Sequence, residues 1–397
     1  MRVLFIGECP WIPSSLGKVT YYTVKGLQER GYDVVVACLA GFNTLKCRGW
    51  EYDGIKVYPY GDPMTSFVRM VGADVVIIYG TPYSPPGASL VKEAEKVISS
   101  FPEVRVIGYF LNESLYLAPI YGLTAVNTHA IVTPSKFVAD TFRRSFVLGG
   151  FSEDVLADRF FVVPHGVDTR VWFKRDVGKI PGEFVYGMFG KNMVRKHFGV
   201  LIQAQSLLPE EVRRNARVLI GKSNPASGGE SWTLDAFKQV FGVGDEEIYE
   251  GDPYAVTFGY PEEELVKYLS RLDVHAFMTI GEAFGIPVIE TGAMGIPQVV
   301  TDIPVMREIL GDAALYVKCE VEFSMDGLAF CYPRASDLAE KLVKLYEDKG
   351  LRVSLGSKAK EVAERYSWER VARGFETVIE TVTSSPMYRT SIAQLRH

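Results

Sequence analysis

The sequence holds no C-x-x-C pair, no D-x-D triplet and no uninterrupted apolar stretch long enough to span a bilayer. The five cysteines, Cys9, Cys38, Cys47, Cys319 and Cys331, are scattered. Their spacing argues against a zinc or dithiol motif and predicts reduced thiols in a cytoplasmic chain. Met1 to Ile6 is too short for the apolar core of a secretory signal and reads as a first strand. An excess of basic charge is also lacking: 43 Lys and Arg stand against 48 Asp and Glu, a net charge of −5, which argues against general nucleic-acid binding. Residues 1–170 carry 16 of each sign, so their pull toward anionic lipid is weak, with Arg143-Arg144 as a local basic pair. The expectation is a cytoplasmic chain, at most peripheral at the inner membrane face, with its oligomeric state open.

What is present is a soluble composition, 47% hydrophobic and 23% charged, on a chain of 397 residues, too long for one ordinary core. Short apolar runs alternate with helix-compatible segments. Val3–Ile6, Val34–Ala37, Asp74–Tyr79, Val104–Tyr109, Ala130–Thr133 and Phe160–Val163 read as buried strands of a first half. The pattern breaks at P-H-G-V-D (164–168) and a polar stretch reaching about Gly182, where the domain boundary is placed. A second set follows at Phe184–Met188, Arg217–Ile220, Ala255–Thr257, Val274–Phe277, Gln298–Thr301 and Leu315–Val317. Beyond Ser336 the pattern turns helical, with a last helix from about Trp368 to Thr383. Strand–helix alternation in both halves predicts α/β domains with parallel, doubly wound sheets.

The densest run of glycine, glutamate and proline lies between Phe277 and Thr301, F-M-T-I-G-E-A-F-G-I-P-V-I-E-T-G-A-M-G-I-P-Q-V-V-T. It reads as strand, loop, short helix opening at Ile286-Pro287, and strand. Gly285 lets a ligand approach the backbone, and a helix start attracts an anion. Glu282 before that helix and Glu290 within it suit a ligand with phosphates and hydroxyls, although glutamates seven apart are common and usually solvated. The basic loop Gly190-Lys191-Asn192-Met193-Val194-Arg195-Lys196 follows the first strand of the same half. Strand C-terminal ends are where open α/β sheets bind ligands, which favours a site over a merely solvated face. His129, before a strand, reads as structural, and His165 either shapes the boundary or touches a ligand.

E-A-F-G-I-P-V-I-E (282–290) resembles the E-x7-E signature of retaining, nucleotide-sugar-dependent glycosyltransferases of the GT-B fold, in the family GT4. V-V-P-H-G-V-D (162–168), F-G-K-N-M-V-R-K-H-F-G-V-L-I-Q-A (189–204), V-T-F-G-Y-P-E-E-E-L (256–265) and E-I-L-G-D-A-A-L-Y-V (308–317) are similar to further family blocks. The likeness is strong over about 160–380 and weaker before. It implies a GT-B fold: two Rossmann-like doubly wound domains facing a central cleft. Residues 1–170 would form the acceptor side, 171–370 the donor side, and 371–397 a helix crossing back to the first domain.

The same resemblance implies the roles. Glu290 would bind the ribose hydroxyls, and Glu282 with the backbone N–H groups of Phe284, Gly285 and Ile286 would hold the transferred sugar. Lys191, in place of the family's arginine, Lys196, and nearby Arg195 would face the donor diphosphate, with Lys196 lining a wet cleft. Tyr260 would lie at the base. The loop S-S-L-G-K (14–18) is neither a P-loop nor G-x-G-x-x-G, and Gly17 is carried over there on the donor side. Relatives place a histidine after the strand near Gly108, but this chain has Phe110-Leu111-Asn112-Glu113, so Asn112 and Glu113 are the acceptor-binding candidates. The implied reaction moves a hexose from a UDP- or GDP-linked sugar to an unidentified sugar, glycolipid or glycan, with retention and without metal or other cofactor. An epimerase or phosphorylase of the same fold, or a non-catalytic binding subunit, are the alternatives.

Overall fold

A computed structural model describes residues 1–39, 50–61, 63–223, 232–250 and 261–395. The chain divides into two compact units, Met1–Gly166 with Trp368–His397, and Val167–Ser367.

The first unit is built on an eight-stranded sheet. Its strands are β1 (Arg2–Gly7), β2 (Asp33–Cys38), β3 (Glu51–Tyr52), β4 (Ile55–Pro59), β5 (Val75–Gly80), β6 (Arg105–Phe110), β7 (Ala130–Thr133) and β8 (Phe160–Val162). Their order is β3-β4-β2-β1-β5-β6-β7-β8. All neighbours are parallel except the small β3–β4 pair. Val3 to Ile6 and Val75 to Ile78 are buried on both faces, as parallel strands covered by helices must be. The chain leaves β1 toward one edge and returns through β5 toward the other, so the sheet reverses direction between β1 and β5. The helix Ser15–Glu29 follows β1, capped by Ser14, whose hydroxyl accepts the Gly17 N–H at 3.0 Å. The helix Trp368–Ser384 belongs to this unit. Its Ala372 would meet a Cβ on Gly26 at 2.5 Å, and its Trp368 stacks on Tyr22 at 4.7 Å. Buried Arg159 pins the segment after it by donating to the carbonyls of Met387 and Thr390.

The second unit carries a six-stranded parallel sheet of β9 (Phe184–Lys191), β10 (Ala216–Ser223), β11 (Ile248–Glu250), β12 (Val274–Phe277), β13 (Gln298–Thr301) and β14 (Ala314–Val317). The order is β11-β10-β9-β12-β13-β14, so the reversal lies between β9 and β12. A separate antiparallel hairpin, β15 (Cys319–Phe323) and β16 (Ala329–Pro333), follows. Sequence reading finds β12 and β13 to the residue, but gives no sign of β3, β4, β11 or the hairpin. The expected strand at 255–257 lies outside the described residues.

The cysteine expectation is corrected. Cys9 pairs with Cys38 and Cys319 with Cys331, at Cα separations of 4.9 and 5.3 Å. Cys9 follows β1 and Cys38 ends its neighbour β2, while Cys319 and Cys331 lie diagonally across the hairpin, with Cys331 opposite Val321. Sheet pairing, not sequence spacing, brings them together, so the spacing never bore on a reduced compartment. Cys47 lies outside the described residues. Among the described residues no helix is long and apolar enough to cross a membrane.

Three histidines are held neutral. Burial pushes His129, His197 and His275 down to about 4, helped at His129 by the Arg105 and Arg159 charges and at His275 by Lys196. His129 is structural as expected: its Nδ1 accepts the Val106 N–H at 2.9 Å. A depressed histidine stabilises the fold above its unfolded value near 6.5, and that stability is lost as pH falls toward 4, because the unfolded chain takes up the proton first. Each group should cost about 2 kcal/mol between neutral pH and pH 5. Urea unfolding at pH 7 and 5 should therefore show a markedly lower midpoint at pH 5; equal midpoints would contradict this reading.

Candidate active site

The reversal point of the second sheet gathers most of the expected residues. The basic loop leaves the C-terminal end of β9 and the glutamate loop leaves that of β12, the two strands flanking the reversal. Between diverging connections at that point an open sheet leaves a crevice, and ligands bind there.

Arg195, Lys196 and Glu282 meet, although 86 residues separate the last two. Glu282 Oε1 accepts from Arg195 Nη1, from Lys196 Nζ and, at 3.1 Å, from the Thr279 hydroxyl. Arg195 Nη1 also donates to the Gly281 carbonyl at 2.7 Å, and its own carbonyl accepts the Ile280 N–H at 2.9 Å. Burial alone would push the Glu282 carboxyl up, but the Arg195 and Lys196 charges outweigh it and hold the group at about 2. Glu282 is an anion in this site.

Lys196 departs from expectation in its surroundings. It is 8% exposed, and its ammonium sits 4.7 Å over the Phe277 ring. The side chain does not line a wet surface: the ion pair and the ring replace water around it. Lys191 ends β9 and is half-buried. The loop between them is clamped through Asn192, whose side chain binds both the N–H and the carbonyl of Trp232, while the Trp232 indole donates to the Met193 carbonyl.

The glutamate loop turns into the helix Ile286–Ala293 through Gly285, at φ +104°. A Cβ there would meet Met306 Cε at 2.7 Å, so both backbone and space call for glycine. Phe284 and Ile286 are buried, with the Phe284 ring edge-on to Tyr366 at 5.3 Å. Glu290, one turn into the helix, is 6% exposed. That helix is tied to the sheet by Thr291, whose hydroxyl lies 2.8 Å from His275 Nδ1 and 3.0 Å from Gln298 Nε2. Tyr260 lies outside the described residues.

In the first unit, Gly17 is needed for a close approach, since a Cβ would meet the Ile12 carbonyl at 2.4 Å. Its N–H is taken by the Ser14 cap, and Ser14 donates to Glu8. Asn112 is corrected as an acceptor contact. It is fully buried, and its amide is used internally by Ser114, Thr141 and Tyr83, so it shapes the loop after β6 instead of facing a ligand. Glu113 is half-buried. With Glu8 and Tyr109 it raises the phenol of fully buried Tyr79, although burial is the larger cause. His165 packs edge-on to Tyr109 at 5.9 Å.

Sequence reasoning missed Thr279, Trp232, His275 and Glu8. Thr279 stood within reach, two residues past a recognised strand in the ligand-bearing loop; Trp232 and Glu8 carried no local signal. Among the described residues no cluster of three or more His, Cys, Asp or Glu is placed to hold a metal ion.

Residues 172–362 match the family model of glycosyl transferases group 1. Over 222 residues the chain is 26% identical to D-inositol 3-phosphate glycosyltransferase of Paenarthrobacter aurescens, covering 54% of this chain and 50% of that protein. The chain thus spans about half the length of the curated relatives it matches. Sucrose-phosphate synthase of Thermosynechococcus elongatus superposes with a TM-score of 0.74 at 14% identity, over 96% of this chain and 99% of that one. Anabaena HepE in complex with UDP does so with a TM-score of 0.72 at 15% identity, over 96% and 100%. Its complex with UDP-glucose gives 0.70. At such identities the likeness is one of fold, and the fold is GT-B.

Proposed function

We propose that this chain, whose residues 172–362 match the family model of glycosyl transferases group 1, is a retaining glycosyltransferase that moves a hexose from a nucleotide diphosphate sugar to a hydroxyl acceptor. The observation that carries the reading is the buried Arg195–Lys196–Glu282 cluster at the reversal point of the second sheet, one short loop from buried Glu290.

Glu290 accepts hydrogen bonds from the ribose hydroxyls. Glu282 and the backbone N–H groups of Phe284, Gly285 and Ile286 hold the sugar. Lys191 and Lys196 neutralise the charge that builds on the leaving diphosphate, so the rate comes from preorganised charge in a site that excludes water. UDP is the favoured nucleotide, since HepE of the same fold is solved with UDP and with UDP-glucose. Glu113, in the loop after β6, is the proposed acceptor contact. No divalent metal is required in this scheme, because the lysines supply the charge that a D-x-D-bound metal supplies elsewhere.

The test is incubation with UDP- and GDP-sugars and a panel of sugar, glycolipid and glycan acceptors in excess EDTA. Nucleoside diphosphate release and a product with the donor's anomeric configuration are expected. Inversion, or loss in EDTA restored by Mg²⁺, would overturn the mechanism, and sugar isomerisation without an acceptor would favour an epimerase.

A further inference from the structure

The transferase reading places Lys196 on the donor diphosphate, yet in the ligand-free chain Lys196 is spent on Glu282. A buried carboxylate that loses its cation costs several kcal/mol or takes up a proton. Something must hold Glu282 charged once a diphosphate draws the lysine away.

We infer that Arg195 is the positioning residue for Glu282: it keeps the carboxylate ionised and turned toward the donor while Lys196 is free to exchange onto the diphosphate. The inference rests on the transferase reading and replaces the expectation that Arg195 itself faces phosphate.

Side-chain and backbone contacts lace Arg195 to the glutamate loop. One guanidinium nitrogen reaches both the Glu282 carboxylate and the Gly281 carbonyl, and the Arg195 carbonyl accepts the Ile280 N–H. Leaving Glu282 would break a contact to the neighbouring carbonyl as well. Lys196 reaches the carboxylate through a single ammonium, a point charge, whereas the planar guanidinium of Arg195 is also held by the Gly281 carbonyl. Every hydrogen bond to Glu282 among the described residues falls on Oε1, which leaves Oε2 for a sugar hydroxyl. The hairpin supports the same loop from behind, with the Cys331 N–H on the Ile280 carbonyl at 2.9 Å.

The charged groups facing Glu282 are Arg195 and Lys196 of the basic loop. His275 of β12, pushed down by burial and by the Lys196 charge, stays neutral. Thr279 of the glutamate loop offers a hydroxyl. With Lys196 engaged elsewhere, Arg195 is the cation that remains on Glu282 among the described residues.

The test compares wild type, Arg195→Gln and Arg195→Lys. In Arg195→Gln, turnover should fall about tenfold or more while the dissociation constant for free UDP stays within about twofold, and the acid limb of kcat, which reports the donor complex, should move up by about one pH unit or more. Arg195→Lys should restore the acid limb, because the charge returns, but not the full turnover, because the shorter, rotatable ammonium is not fixed as the planar guanidinium is. A residue that only braced the fold would lower stability without moving the acid limb. The ligand-free proteins give an independent reading through 13C-carboxyl NMR, with the Glu282 signal assigned by its loss in Glu282→Gln. Its titration midpoint should rise in Arg195→Gln and return toward wild type in Arg195→Lys. An unmoved midpoint in Arg195→Gln would overturn the role of Arg195. Absence of any nucleotide-sugar turnover by wild type would instead count against the transferase reading, with the carboxyl titration still deciding the inference.

Discussion

Glu282→Gln should reduce turnover about 100- to 1000-fold, the range seen when one preorganised charge partner is removed from an active site. Binding of the free nucleotide should survive or tighten. In the ligand-free chain the carboxylate holds Lys196 as well as Arg195, so a diphosphate must compete with Glu282 for the lysine. A neutral amide removes the competitor and leaves two cations in a buried place, where an anion is welcome. The same change should cost the free protein about 3 kcal/mol, as expected when one partner of a buried ion pair is lost, and added UDP should return part of it. Steady-state kinetics, UDP calorimetry and thermal unfolding with and without UDP read these effects. Unchanged turnover would remove Glu282 from the chemistry, and abolished UDP binding would reverse its role with that of Glu290.

Lys196→Ala should show a similar loss of turnover, about 100- to 1000-fold, with the opposite effect on nucleotide affinity. The structure changes what this variant does to the fold. Sequence reading places the side chain in a wet cleft, where truncation spares the fold. Here it is buried over Phe277 and paired with Glu282, and a Cβ on Gly190 would lie 3.5 Å from its methylenes. Truncation should therefore also cost about 1–3 kcal/mol, tempered because Arg195 still faces the carboxylate. A variant with normal stability and normal turnover would contradict both the burial and the role. One with lost turnover and unweakened UDP binding would move the lysine off the diphosphate.

Particular residues show how much of this was legible. Val274–Phe277 and Gln298–Thr301 could be read to the residue because each is a short apolar run bounded by glycine, proline or a charge, and both lie buried in a parallel sheet. The turn at Gly285 was legible for a similar reason: glycine followed by Ile-Pro leaves few backbones open. The hairpin of β15 and β16 was not. Val321 and Phe323 alternate with Glu320 and Glu322 as a strand should, but they stand exposed, so the pattern marks no buried face.

Pairings distant in sequence were equally hidden. Nothing local in K-N-M-V-R-K says that its last two cations converge on one carboxylate oxygen, and nothing in five scattered cysteines says which strands lie side by side. Asn112 misled because an amide reads as a ligand group until the Ser114, Thr141 and Tyr83 contacts that consume it are seen.

The reading as a whole depends on a nucleotide sugar seated by the second unit, with Glu290 on the nucleotide. Calorimetric titration of UDP, GDP, ADP and UDP-glucose into wild type and Glu290→Ala, in EDTA throughout, tests this most directly. One nucleotide series, UDP by preference, should bind wild type and weaken in the variant by about 1.5–3 kcal/mol, the value of a hydrogen bond to a buried charged group. Failure of every nucleotide to bind wild type, or equal affinity in the variant, would contradict it.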